Sequence, residues 1–103
     1  MFKDIKPVGI STKAAAEIKK IMQTKGIPAD YALRVGIKGA GCGGAALMLG
    51  FDKAKETDLQ YEVEQIPVLV DKRHTMYVIG KVVDFHDGAD ARGFMFAESE
   101  PNN

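Results

Sequence analysis

This sequence predicts an α+β fold, rich in short strands and carrying one long helix. Three observations lead there. Apolar residues recur at helical spacing between Ser11 and Gly26. At Tyr31 the period drops from 3.6 to 2. After that, short alternating runs are broken by turn residues almost to the C-terminus. A knot of glycines, Gly39-Ala40-Gly41-Cys42-Gly43-Gly44, separates two of those runs and holds the chain's single cysteine.

Residues 1–9 read as an extended lead-in in which Pro7 and Gly9 prevent regular structure. Ser11 is a good N-cap, and Gly26 followed by Pro28 marks the far end of the helix. Between them Ala14, Ala15, Ile18, Ile21 and Met22 form one apolar stripe, with Lys13, Glu17, Lys19, Lys20 and Gln23 opposite. The pattern is that of an amphipathic helix of roughly four turns, expected to pack across a sheet.

Leu33, Val35 and Ile37 then alternate with Arg34, Gly36 and Lys38, as in a half-buried strand running into the glycine knot. Leu47, Leu49 and Phe51 alternate in the same way beyond it, so the chain is expected to return antiparallel. Residues 52–59 read as a solvated turn. Gln60 to Glu64 and Ile66 to Val70 are two further strands, and Pro67 assigns the second to an edge or a bulge. Asp71 is placed to cap a short helix over Lys72–Ile79, ended by Gly80. Lys81 to His86 and Gly93 to Ala97 complete a set of six or so short strands, mostly antiparallel or mixed.

Length and composition narrow the function. A chain of 103 residues makes one domain, 1–103. Its 46% apolar and 27% charged residues are those of an ordinary soluble globular protein. Fourteen basic and fourteen acidic residues cancel without forming blocks, which argues against a nucleic-acid partner. No apolar run approaches the ~20 residues that span a bilayer. The stretch Met1 to Pro7 lacks the apolar core of a signal peptide. One cysteine cannot make an internal disulfide, so the expected compartment is the reducing cytoplasm.

The glycine knot matches G-x-G-x-x-G, but it leads into a short alternating segment rather than the helix that a dinucleotide's pyrophosphate needs. No Gly-Lys-Ser/Thr completes a P-loop. Cys42 is different from a core cysteine, because Gly41, Gly43 and Gly44 surround it where apolar neighbours would be expected. Free backbone N–H groups in such a turn favour thiolate, the form that binds soft metals. The residues themselves leave open a metal or cluster ligand, a reactive thiol, or a structural turn. His74 and His86 lack zinc-site spacing, and Asp52, Glu56, Asp58, Glu62 and Glu64 read as a solvated face. No Ser/His/Asp or Cys/His set emerges, so an ordinary hydrolase is disfavoured.

Several blocks together resemble the HesB/IscA-like family of A-type iron–sulfur cluster carriers. They are Ile10-Ser11 with Ala14-Ala15-Ala16, then Leu33 to Gly39 leading into Gly41-Cys42-Gly43-Gly44, then Leu49 and Phe51. Val68-Leu69-Val70-Asp71, Gly80, Val83-Asp84-Phe85 and Gly93-Phe94-Met95-Phe96 come after them. The resemblance implies a compact β-rich HesB-like domain of short mixed strands, with one long N-terminal helix and one short one, forming homo-oligomers. It implies a protein that is not an enzyme but a participant in iron–sulfur cluster assembly. Such a protein takes iron or a cluster and passes it to apo-protein acceptors alongside the assembly machinery. By the same resemblance Cys42 is the metal ligand, and Gly41, Gly43 and Gly44 shape its loop. The family's second cysteine group, a Cys-Gly-Cys near the C-terminus, has no counterpart here, and Gly43 stands where the family often has Ser. Other ligands would then come from His86, a carboxylate, a small thiol or a partner. Two alternatives stand beside this: an interaction module of the same fold without metal chemistry, and a thiol switch at Cys42.

Overall fold

The computed structural model describes residues 7–41 and 44–98. In chain order the elements are β1 (Val8–Ile10), α1 (Thr12–Thr24), β2 (Ala32–Gly41), β3 (Gly44–Asp52), β4 (Asp58–Val63) and β5 (Ile66–Asp71). A 3-10 turn (Lys72–His74), α2 (Thr75–Val78), β6 (Lys81–Asp87) and β7 (Arg92–Glu98) complete the chain. Two sheets result, a three-stranded one in the order β1-β6-β7 and a four-stranded one in the order β3-β2-β5-β4. The α+β, strand-rich class predicted from periodicity is the observed one.

The alternation of each strand selects what it buries. Leu33, Val35 and Ile37 of β2 join Ile66, Val68 and Val70 of β5 in one apolar cluster. Val8, Ile10, Val83 and Phe85 of the other sheet enter the same cluster, as do Ala14, Ala15 and Ile18 of α1. Both sheets and the helix therefore share one interior, which is the main source of cohesion.

Polar bonds fix how these pieces meet. The Ser11 hydroxyl caps α1 by accepting from the Ala14 N–H at 3.1 Å, and donates to Asp84 Oδ1 at 2.7 Å. The Ser11 N–H also donates to the Val83 carbonyl at 2.9 Å, so the start of α1 is tied to β6. Donation from Ser11, and then from the Phe85 N–H, holds the Asp84 carboxyl below the usual carboxylate range. The Tyr61 hydroxyl reaches from β4 to β1, accepting from the Val8 N–H at 3.0 Å and donating to the Val8 carbonyl at 3.1 Å.

Three sequence expectations are corrected. Residues 8–10 are a strand rather than an irregular lead-in. Val8, Gly9 and Ile10 pair in parallel with Lys81, Val82 and Val83. Glycine is tolerated because it serves a short edge strand whose partner supplies the regularity. Secondly, β5 is central despite Pro67. Pairing of β5 with β2 begins only at Leu33↔Val68, after the proline. Toward β4, Glu62↔Pro67 is the alternate pair next to the Val63↔Ile66 pair that closes the hairpin, so the absent N–H interrupts neither ladder. The third is Asp58, expected on a solvated acidic face and in fact buried. Among the described residues no helix is long and apolar enough to cross a membrane.

The β4–β5 hairpin turns through Glu64 and Gln65, both with positive φ (53° and 67°). This is the geometry that Asn-Gly adopts with little strain. Replacing Glu64-Gln65 by Asn-Gly is expected to stabilise the fold by about 1 kcal/mol. That appears as a rise of roughly 4–8 °C in the melting temperature.

Burial raises the Tyr61 phenol from 10.0 to about 12, against the lowering effect of the bond from the Val8 N–H. The phenol is thus more acidic in the unfolded chain than in the folded one. Its contribution to stability is complete below about pH 10 and is lost as the pH rises through about 12. Tyr61→Phe leaves the buried Val8 N–H and carbonyl without their partner and is expected to cost about 2 kcal/mol. Urea unfolding on both sides of pH 10 checks this, since the variant should lose part of the wild type's alkaline decline.

Candidate functional site

β2 and β3 form the longest hairpin of the molecule. Their antiparallel register runs regularly from Ala32↔Asp52 to Lys38↔Ala46, then shifts so that Gly41 pairs with Gly44. Across that shift Gly39 and Ala40 of β2 stand opposite Ala45 alone, the arrangement of a β-bulge. A bulge bends and twists its strand, so the glycine end of the hairpin is re-aimed relative to its root. Of the four residues singled out in the sequence, Gly41 and Gly44 form the last backbone pair before the connection. Cys42 and Gly43 lie outside the described residues.

The root of the hairpin is held by Arg34. Its Nη1 and Nη2 donate to the two carboxylate oxygens of Asp58 at 2.7 and 2.8 Å, a two-pronged contact. Nε donates to Asp52 Oδ2 at 3.1 Å, and Nη2 also donates to the Lys53 carbonyl at 3.2 Å. The Lys55 N–H donates to Asp58 Oδ2 at 2.8 Å. One guanidinium thus joins β2 to the end of β3, the loop after it and the start of β4.

The burial of Asp58 has a local cause: Arg34 and the Lys55 N–H replace the water it gives up. Donation from Arg34, larger than the opposing effect of burial, holds its carboxyl below the usual range. Asp52 is lowered chiefly by the Lys53 N–H. Asp58 raises the Arg34 guanidinium above its ordinary value, chiefly through their hydrogen bonds. Glu56, Glu62 and Glu64 are exposed as expected. The trace of this clamp in the sequence is Arg34, a charged residue near the start of β2 between the buried Leu33 and Val35.

On the same face of β2, Gly36 lies under His74. A Cβ at Gly36 would stand 3.3 Å from His74 Nδ1 and 3.5 Å from Met48 Cε, so a larger residue there would require the imidazole to give by a few tenths of an ångström. A cleft of about 240 Å³ opens there, lined by Arg34, Gly36, Met48, Asp71 and His74 among others. His86 belongs to the other sheet and folds over Gly88, where a Cβ would stand 2.6 Å from its Nε2. The fold therefore separates the two histidines. Among the described residues no group of three or more His, Cys, Asp or Glu side chains is placed to hold a metal ion.

The same architecture and sequence pattern occur in known proteins. Residues 7–102 match the model of the family described as iron-sulphur cluster biosynthesis. The iron-sulfur cluster insertion protein ErpA of Saccharophagus degradans is 34% identical over 97 residues, covering 93% of this chain and 80% of that protein. ErpA of Alcanivorax borkumensis is 36% identical over 97 residues, covering 93% of this chain and 79% of its own length. Among solved structures, a crystal structure of IscA with a 2Fe-2S cluster superposes with a TM-score of 0.72 at 22% identity, over 88% of this chain and 84% of that one. A solution structure of a protein from Aquifex aeolicus gives a TM-score of 0.70 at 28% identity, over 91% and 93% of the two chains. With the two-sheet fold, the bulged glycine hairpin and the family match over nearly its whole length, this chain belongs to the iron-sulphur cluster biosynthesis family.

Proposed function

We propose that this protein takes iron or an iron–sulfur cluster as cargo at Cys42 and passes it to apo-proteins, without catalysing a reaction of its own. The observation that carries the reading is the closure of the β2–β3 hairpin at Gly41 and Gly44, in a chain whose family match spans residues 7–102. The lone cysteine stands in the sequence between those two paired glycines. Relatives about a third identical are named cluster insertion proteins, which supports transfer rather than storage.

Chemistry sets the stoichiometry. A cluster is held by about four thiolates or equivalent ligands, and one chain offers a single thiol. Two copies bring two, so the reading includes a homo-oligomer, with a small thiol or the acceptor's own cysteines completing the set. Gly41, Gly43 and Gly44 would keep the space around the sulfur free of side chains. A reducing cytoplasm and a single domain over 1–103 complete the picture.

Anaerobic reconstitution with ferrous iron and sulfide tests the reading. Wild type is expected to gain iron, sulfide and visible thiolate-to-iron absorption, and Cys42→Ser to lose most of all three. Equal absorption from both proteins would remove Cys42 as a ligand. No uptake by wild type would remove the cargo reading itself. Asp58→Asn, at the root of the hairpin, is expected to lose roughly 2–3 kcal/mol of stability because a buried charge pair is broken. Its iron content per folded chain should remain that of wild type.

A further inference from the structure

Between Lys38 and Leu47 the β2–β3 hairpin carries almost nothing that could orient a side chain. The stretch from Gly39 to Ala46 consists of four glycines, three alanines and Cys42. A side chain is held in one direction by the neighbours packed around it. At this tip no neighbour along the chain is larger than a methyl group, so the course of the backbone has to supply the direction.

That course departs from the simplest one. Pairing runs without interruption from Ala32↔Asp52 to Lys38↔Ala46. Continued in step, it would set Gly39 opposite Ala45 and Ala40 opposite Gly44, with Gly41-Cys42-Gly43 as the connection. The register shifts instead, and the next pair is Gly41↔Gly44. Two residues of β2 answer one of β3, and only Cys42-Gly43 remains between the paired glycines. A two-residue connection is the commonest way to close a hairpin, because its twist matches that of the strands. The extra residue is also where a strand bends and twists more strongly. One added residue in β2 thus sets both the length of the connection that holds the cysteine and the direction of the arm leading to it. The shift begins beyond Ile37, which among the described residues is the last of β2 in the shared core. Core packing therefore gives no account of it.

We propose that the bulge formed by Gly39 and Ala40 against Ala45 is the positioning element of the cargo site, fixing the direction in which Cys42 is offered to iron or a cluster. This rests on the cargo reading above and adds to it what aims the sulfur. A second ligand, from another copy or from the acceptor, has to reach the same iron as the first. A thiol offered from a fixed direction joins such a shared set, and one that is turned away does not.

Two changes of length remove the bulge without touching Cys42 or the paired glycines. Deleting Ala40 lets Gly39 pair with Ala45 next to Gly41↔Gly44. Inserting one alanine between Ala45 and Ala46 also evens the strands, giving Gly39 and Ala40 one partner each. The first shortens the arm and the second lengthens it, so an effect common to both belongs to the bulge rather than to length. Each full-length variant is read in two ways. A nitroxide attached to Cys42 of the cluster-free, isotope-labelled protein reports the direction of the sulfur through the backbone resonances that it broadens. Anaerobic reconstitution with ferrous iron and sulfide, on unlabelled protein, reports uptake. Both variants are expected to melt at the wild-type temperature, since the shared core is intact, and to broaden a different set of resonances. Iron and sulfide per folded chain should fall about tenfold, the lower end of what loss of a positioning group costs a metal site. An unchanged broadening pattern or unchanged uptake in either variant would overturn the proposal. A wild type that takes up no iron removes the cargo reading instead, and the nitroxide comparison still decides whether the bulge aims the sulfur.

Discussion

Arg34 is the charge around which the four-stranded sheet is organised. A guanidinium on a strand this deeply placed keeps its charge at any physiological pH, so it must be met by acceptors that do not move. Asp58 meets it with both oxygens, Asp52 with one and the Lys53 carbonyl with another. Those acceptors lie at the end of β3, in the loop after it and at the start of β4, so satisfying one side chain fixes three parts of the backbone. Any drift of β3 against β2 would leave a buried carboxylate or a guanidinium unpaired, which costs far more than the bonds themselves contribute. The regular register from Ala32↔Asp52 outward starts from this point.

The two sheets are joined by apolar packing and aligned by a few polar bonds. Packing among Val, Ile and Leu side chains is strong but not directional. Direction comes from Ser11, bonded to Asp84 and the Val83 carbonyl, and from Tyr61, whose hydroxyl satisfies both backbone groups of Val8. The family block Val83-Asp84-Phe85 acquires a physical meaning here. Its flanking residues enter the core, while Asp84 receives the helix cap. With both sheets held, the β2–β3 hairpin runs from the shared core to its bulge and its closing glycine pair.

Two regions of the surface differ in what shapes them. The glycine end of the hairpin is shaped by residues that remove bulk, whereas the 3-10 turn and α2 are shaped by residues that add exposed apolar area, Met76, Tyr77 and Ile79. His74, resting on Gly36, comes from the second region and touches the strand that leads to the first.

Much of this was legible in the chain itself, because local patterns report local structure. The 3.6 period with Ser11 as cap located α1, and the period of 2 located β2 and β3 and their antiparallel return. Asp71 and Gly80 bracketed the short helical segment. The glycine-framed cysteine, read with the blocks around it, pointed to the iron–sulfur biosynthesis family, which the match over residues 7–102 bears out. Tertiary structure decided what depends on partners far away in sequence. Val8 to Ile10 became a strand only because β6 offers a parallel edge, and β5 became central because the ladder with β2 starts after Pro67. Asp58 was drawn inside by an arginine 24 positions earlier. A backbone hydrogen bond or an ion pair needs two ends, and a sequence pattern shows one of them at a time.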